Sequence, residues 1–378
     1  MIKRKILIIS PYPVLPMHYG GRIRIYKLAR ELSLLNNDIT ILAPYRPGQK
    51  AYLKVNDNLR IRSVIYPFVA PFLLLDKPFP YQFLVSFHPG YRYLAREHLK
   101  GYDIYQFEHV AFADLLDHLP KKAKVVYDAH NVEYDYINSE VTAEGLRDVI
   151  MKRIYHLENK ILGQARAVFS CSREDIIRFS GLYRADPGNF LIIPNGIDKH
   201  AAIKSDGKEG ISGIGGILAF DRKVIFCGSN VEHNRCAVRF ILKELAPELK
   251  DCCAFIIAGS CAKAFRGCRL PNVFFDNDGR DASDYARLSP IAINPVTQGG
   301  GTSLKILEYL KCGFPVISTE FGMRGYADLK PLVEIETASR FAQALRSFKS
   351  SRKVSPEALS KYLWSNIAFK ANDAYGHC

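Results

Sequence analysis

Short apolar runs recur along the chain, each followed by a stretch with helical periodicity, and this alternation constrains the fold more than any other feature. Residues 6–9, 38–43, 59–66, 103–107, 124–128, 167–171 and 191–193 have the length and composition of buried strands. After the first of them a proline-rich loop leads through Gly20-Gly21 into an amphipathic helix with Ile25, Leu28, Ala29, Leu32 and Leu35 on one side. Strands that alternate with helices pair in parallel, and the helices cover both faces of the sheet. From 197 to 221 the pattern lapses into glycine, serine and charge, as in GKEGISGIGG, which is the composition of a linker. A second series follows, with strands at 223–227, 253–258, 273–275, 291–294 and 315–318 and helices at 237–249 and 303–311. The expected architecture is α/β, two doubly wound parallel-sheet domains facing a central cleft. Its boundaries are a first domain at 1–196, a linker at 197–222, a second domain at 223–355, and C-terminal helices at 356–378 that return to the first domain.

At 378 residues the chain is long for one core and suited to two. Its net charge of +14 favours anionic partners such as nucleotides, phosphorylated lipids or a membrane surface, although excess lysine and arginine also serve solubility. No zinc-finger spacing, basic helix or aromatic RNA-binding signature is present, so nucleic acid is not expected. Nine cysteines without a CxxC pair point to free thiols in a reducing compartment. Cys252, Cys253, Cys261 and Cys268 cluster without zinc spacing, and no metal site is expected. The apolar start at 6–9 is too short for a signal-peptide core. The run 64–75 is broken by Pro67 and Pro71 and falls short of the roughly 20 residues of a spanning helix. The expected location is cytoplasmic, peripheral at the inner face of a membrane.

The richest stretch chemically is 298–320, QGGGTSLKILEYLKCGFPVISTE. Gly299, Gly300 and Gly301 allow left-handed backbone and close approach of a ligand, and Thr302 is the expected N-cap. The start of such a helix offers free N–H groups and a positive dipole end, which suit an anion. Lys305 in the first turn is disfavoured by that dipole unless an anion lies between them. Glu308 follows on the same face, a carboxylate placed to accept from the vicinal hydroxyls of a ribose. A glycine turn capping an ordinary helix, with Lys305 and Glu308 as a surface ion pair, accounts for the same residues.

Five motifs taken together resemble a known family. GGRIR after the first strand, DAHNVEYDY at 128–136, IPNGID at 193–198, FCGSNVEHN at 226–234 and GGGTSLKILEYLKCGFPVIST at 299–319 are similar, in order, to the GT-B-fold glycosyltransferases. The resemblance is greatest to the retaining family-four (group 1) enzymes of bacterial surface polysaccharide and glycolipid synthesis. It implies two Rossmann-like domains and transfer of a sugar, with retention and without a metal or other cofactor, from a nucleoside diphosphate sugar to a saccharide or lipid-linked acceptor. Glu308 matches the ribose-binding glutamate, and Gly300, Gly301 and Thr302 the turn that meets the donor diphosphate and sugar, with Lys305 beside it. Gly20 and Gly21 match the glycine loop that closes over the donor phosphates, with Arg22 and Arg24 in reach of the same anion. Gly228 and Asn234 match a donor loop of the second domain. His130 matches the histidine that approaches the transferred sugar, so His130 and Lys305 are the expected catalytic groups. Asn195 and Gly196 fit the inter-domain hinge. Glu133 and Glu158 are expected as supporting or helix-face carboxylates.

Two departures stand out. The family's second glutamate, eight residues before the ribose-binding one, is Gly300 here, which a triple-glycine subgroup shares. The usual arginine and lysine pair after Gly228 is absent, with Arg235 or Lys305 as substitutes. Asp276-Asn277-Asp278 has the form of a metal-binding DxD string but follows a strand as a solvated turn would. The aromatic and basic segment 66–94, with Lys77 and Arg92, fits either a lipid-linked acceptor at an anionic membrane or a core segment with a solvated edge. A degenerate transferase acting as a partner subunit, and a nucleotide-sugar epimerase, are the rival readings.

Overall fold

The computed structural model describes residues 3–17, 19–45, 48, 50–64, 93, 95–141, 144–199, 214–276, 281–348 and 354–378. The chain divides into two compact units, Met1–Asn195 with Trp364–Cys378, and Gly196–Leu363.

Among its described residues the first unit is built on an eight-stranded sheet in the order β3-β4-β2-β1-β5-β6-β7-β8. The strands are β1 (Lys5–Ile9), β2 (Asp38–Pro44), β3 (Tyr52–Asn56), β4 (Leu59–Val64), β5 (Ile104–Glu108), β6 (Lys124–Ala129), β7 (Ala167–Ser170) and β8 (Phe190–Ile192). All pairs are parallel except β3 with β4. Alternate side chains leave opposite faces, so Leu7 and Ile9 enter one core while Ile6 and Ile8 enter the other. The first core is closed by the Arg147–Gln164 helix through Ile150, Ile154, Leu157 and Ile161. The second is closed by the Gly20–Leu34 helix and by Trp364–His377, whose Trp364, Ile367, Ala368, Ala371 and Tyr375 are buried. Polar contacts fix the C-terminal helix there. Asn37 Nδ2 donates to Asn372 Oδ1 at 2.9 Å, and the Tyr375 hydroxyl donates to Gln106.

The second unit carries a six-stranded parallel sheet in the order β11-β10-β9-β12-β13-β14. Its strands are β9 (Arg222–Cys227), β10 (Cys253–Ala258), β11 (Val273–Asp276), β12 (Ile291–Asn294), β13 (Val316–Ser318) and β14 (Glu334–Ile335). The helix after β9 begins at Glu232, earlier than its apolar periodicity indicates, because its first turn is polar. It runs to Phe240 and continues through a π-helical turn, Ile241–Leu245, ahead of Pro247, which has no N–H to give to the helical ladder.

Several expectations are corrected. The polar edge strand β3 has no counterpart in the expected series. The expected linker 197–222 is partly structured, since Ile214–Leu218 is helical and Ile217 is fully buried in the second unit's core, while 200–213 lies outside the described residues. The C-terminal segment 356–378 divides. Leu359 and Tyr362 belong to the core of the second unit, and only the part from Trp364 joins the first. The segment 66–94, apart from residue 93, and Asn277-Asp278 lie outside the described residues. All nine cysteines are free thiols. Among the described residues no helix is long and apolar enough to cross a membrane.

Arg24 is the most consequential buried charge. It sits on the core side of its helix with 1 % exposure, and its guanidinium spans both carboxylate oxygens of Asp128 at 2.6 to 3.2 Å while donating to the Pro194 carbonyl at 3.0 Å. Removing one member strands the other charge in the core, a loss of about 3–5 kcal/mol. Arg24→Met therefore lowers the chemical-denaturation stability of the chain by that amount. Arg22→Met, which removes exposed contacts to the Tyr12 and Tyr19 rings and the Pro16 carbonyl, changes it by about 1 kcal/mol or less.

Candidate functional site

In the first unit, the candidate functional side chains collect where β1, β5 and β6 end. Gly21 lies in the first turn of the Gly20–Leu34 helix, which has no acidic residue there and no side-chain cap. A Cβ on Gly21 would stand 2.0 Å from the Tyr12 hydroxyl and 3.3 Å from His130 Nδ1, so only glycine lets the helix start approach these two groups. Arg22 lies over the Tyr12 and Tyr19 rings. Arg24 does not reach toward any anion there, because it is committed to Asp128.

His130 is 7 % exposed, and its Nε2 shares a hydrogen bond of 2.6 Å with Glu108 Oε2. Its ring centroid lies 4.2 Å from that of His109. His109, at a left-handed φ of 62°, is bonded through Nε2 to the Tyr12 hydroxyl at 2.8 Å and through Nδ1 to Glu133 Oε1 at 2.5 Å. Burial opposes charge on His109, but the Glu133 carboxylate outweighs it and raises the imidazole above its usual range. Burial, then the charge on His109, drives His130 well below the usual range, so it is a neutral ring. Burial pushes Glu108 up to about 7.

Glu133 and Glu158 are interior groups rather than helix-face carboxylates. Glu158 accepts from the backbone N–H of Glu133 and Tyr134 at 2.8 and 3.1 Å and from the hydroxyls of Tyr127 and Tyr183, which anchors the start of the Glu133–Glu140 helix. His109 and Tyr12 are functional candidates absent from the sequence reading. The signal was a charged pair, Glu108-His109, at the end of a predicted strand. Glu108, Asp128 and His130 offer ligand atoms within 4.8 Å of one another. Asp128 is held by Arg24, and Glu108 and His130 by each other, so a cation would first have to displace these bonds. Asn195 is buried, accepts from Arg24 at 3.4 Å, and is followed by Gly196 where the chain passes from one unit to the other.

In the second unit the GGGT turn and the Leu304–Lys311 helix line a pocket with His233, Gln298, Phe321 and Gly322. Gly299 and Gly301 have φ of 122° and 65°, whereas Gly300 does not need a left-handed conformation. The N-cap is Ser303 rather than Thr302, and it makes no side-chain cap, so the helix start keeps its free N–H groups. Lys305 donates to Asn234 Oδ1 at 2.7 Å and lies 4.6 Å over the Phe226 ring. Asn234 is in turn fixed by its bond to the Ser229 carbonyl at 3.0 Å and packs on Gly228, where a Cβ would stand 3.0 Å from Asn234 Cγ. Burial lowers Lys305 to about 8, and burial, then Asp281, raises Glu308 to about 7. Among the described residues Glu308 has no ion-pair partner, so the surface-pair alternative does not describe it. Tyr309 accepts from the Cys227 N–H at 2.7 Å, tying this helix to the end of β9. Arg235 is bound to Glu232 at 2.5 Å and is not free to replace the family's basic pair. Asp276, the first residue of the DxD string, accepts from the Tyr285 hydroxyl at 2.7 Å.

The His109–Glu133 pair carries a pH signature. His109 is raised above its ordinary 6.5, so its stabilising effect is full below that pH and is lost as pH rises through the folded value. Glu133 is lowered below its ordinary 4.5, so its effect is full above that pH and is lost as pH falls through the folded value. The stability difference between the wild type and His109→Gln is accordingly largest between 4.5 and 6.5 and shrinks on both sides. Urea unfolding across a pH series checks it.

Residues 19–200 match the family model described as Glycosyltransferase Family 4, and residues 221–350 the model described as Glycosyl transferases group 1. No curated protein matches the chain in sequence. Among solved structures the chain is similar to a sucrose-phosphate synthase from Thermosynechococcus elongatus, with TM-score 0.77, 14 % identity and 99 % of each chain covered. It is also similar to WaaG, a glycosyltransferase involved in lipopolysaccharide biosynthesis, with TM-score 0.60, 15 % identity, and 98 % of this chain and 95 % of that one covered. Anabaena Alr3699/HepE in complex with UDP and glucose gives TM-score 0.65 and 15 % identity, over 99 % of this chain and 100 % of that one. With a family-four domain followed by a group 1 domain on two parallel-sheet units, the chain belongs to the GT-B glycosyltransferases.

Proposed function

We propose that the chain transfers a sugar from a nucleoside diphosphate sugar to a saccharide or lipid-linked acceptor, with retention at the anomeric carbon. The observation that carries this reading is the second-unit pocket. An uncapped helix start, Gly300, the left-handed Gly301 and Lys305 face it, and Glu308 stands one turn away without a cationic partner. Lys305 is held by a neutral amide rather than a carboxylate. An arriving diphosphate therefore meets an uncompensated cation and free N–H groups, and its charge raises Lys305 from about 8 into full protonation. Glu308, raised to about 7 when empty, accepts the ribose hydroxyls as a carboxylate.

In this reading the leaving diphosphate is stabilised electrostatically by the turn and Lys305, no metal is required, and the diphosphate accepts the acceptor's proton. His130 is neutral, cannot act as a cation, and serves as a hydrogen-bonding group beside Gly21. The complex of Alr3699/HepE with UDP and glucose supports a uridine nucleotide as the first donor to try. The reading as a degenerate partner subunit is not favoured. The peripheral membrane position rests on the charge of +14.

The test is thermal stabilisation of the purified chain by UDP-, GDP- and ADP-sugars. One nucleotide series stabilises the wild type, and Glu308→Ala weakens its affinity about 10- to 100-fold through loss of charge-assisted hydrogen bonds. Unchanged affinity in that variant would remove the ribose assignment. Transfer to acceptor, rather than release of an epimerised donor, separates the reaction from epimerisation.

A further inference from the structure

The helix that follows the loop after β9 carries one pocket-lining side chain to which neither the motif reading nor the mechanism above gives a role. His233 lies in the first turn of Glu232–Phe240 and lines the pocket beside Gly300, Thr302 and Lys305. Its ring packs on the turn itself. A Cβ on Gly299 would stand 3.0 Å from His233 Nδ1 and 3.1 Å from its Cγ, at a φ of 122° that only glycine adopts readily.

His233 Nδ1 is buried against that turn and has no hydrogen-bond partner. An orphaned acceptor is tolerated more readily than an orphaned N–H, which assigns the proton to Nε2. Among the described residues Nε2 also lacks a protein partner, and it is the edge of the ring left to the pocket. Burial, then the charges of Lys305 and Arg235, holds His233 down to about 4, so the ring is neutral. The nearby acid, Glu232, is engaged by Arg235 and Arg239 and does not offset this.

The order of groups says what the ring faces. Glu308 marks the ribose, the helix start and Lys305 mark the diphosphate, and Gly300, Gly299 and His233 lie beyond the helix start. In a nucleoside diphosphate sugar the group beyond the phosphates is the sugar. None of the residues that line the pocket is a carboxylate, Gly300 has no side chain, and the lining side chains of Gln298, Thr302 and Ser303 are bonded to Cys236, Tyr326 and Asn294.

We propose that His233 reads the transferred sugar, its Nε2–H donating to a ring-hydroxyl oxygen where the turn's glycines supply only backbone. The inference rests on the donor-site reading above and adds the residue that distinguishes a sugar nucleotide from the bare nucleoside diphosphate.

Calorimetric titration of the full chain with UDP, GDP and ADP, and with their glucosyl esters, gives the ratio of the two dissociation constants. His233→Ala lowers that ratio about tenfold, the worth of one good hydrogen bond, and leaves the nucleoside diphosphate affinity within about twofold. His233→Gln, whose amide nitrogen reaches the Nε2 position, restores most of the ratio. An unchanged ratio in His233→Ala overturns the proposal. So does a parallel loss of both affinities in both variants, because the ring then only props the turn. If the wild type binds no nucleoside diphosphate, the donor-site reading itself falls and takes this inference with it, an outcome separate from the other two.

Discussion

In a parallel sheet every strand ends at the same edge, and that constraint gathers the chemistry of both units. Side chains that are far apart in sequence become neighbours there because the strands carrying them stand side by side. Tyr12 follows β1, Glu108 ends β5, and Asp128 lies near the end of β6 with His130 just after it, and β1, β5 and β6 are adjacent in the sheet. In the second unit Gly228 follows β9 and the GGGT turn lies after β12, and these two strands are also paired. Ligands of open α/β sheets bind outside this edge because the helix starts that follow the strands point their N–H groups at it.

The edge has to be both polar and rigid, and the first unit solves this with ion pairs and hydrogen-bonded acids buried beneath it. Arg24 fixes Asp128, Glu158 fixes the start of the Glu133–Glu140 helix, and Glu133 fixes His109. Each acid has a partner inside the protein, although Glu133 Oε2 is left buried without one. The consequence appears at His130. Burial, then the charge on His109 at 4.2 Å, keeps His130 neutral beside Glu108, which burial raises to about 7. A network that looks structural thus helps set the protonation state of His130, which with Tyr12 faces the Gly21 helix start.

Much of this was legible in the sequence where the information is local. The GGGT turn, Lys305 and Glu308 lie within one turn and one helix, so their spacing alone places them together. The strand series was legible because parallel strands are apolar on both faces, and β3 was missed because a polar edge strand, YLKVN, lacks that mark. Arg24 was misread because a motif gives the residue and not the face of the helix, and here that face is the core. What lay out of reach was the partner of each of His109, Glu133 and His233, which no local spacing gives. His109 meets Glu133 across 24 residues, and His233 meets a turn more than sixty positions away. Only the sheet order brings such pairs into contact.

The second unit handles its charge in the opposite way, and the contrast separates scaffold from site. Arg24 is matched by a carboxylate and is therefore finished as an interaction. Lys305 is matched by the neutral oxygen of Asn234 and stands over the face of Phe226, both of which orient an ammonium without cancelling it. Glu308 on the same helix is left without a counter-charge as well. Holding a cation and an anion one helical turn apart, each depressed in its charge by burial, costs stability that pairing them would recover. A fold that needed them only for packing would pair or replace them. Their separation makes sense for a ligand that carries an anion at one point and hydroxyl donors a few ångströms further on.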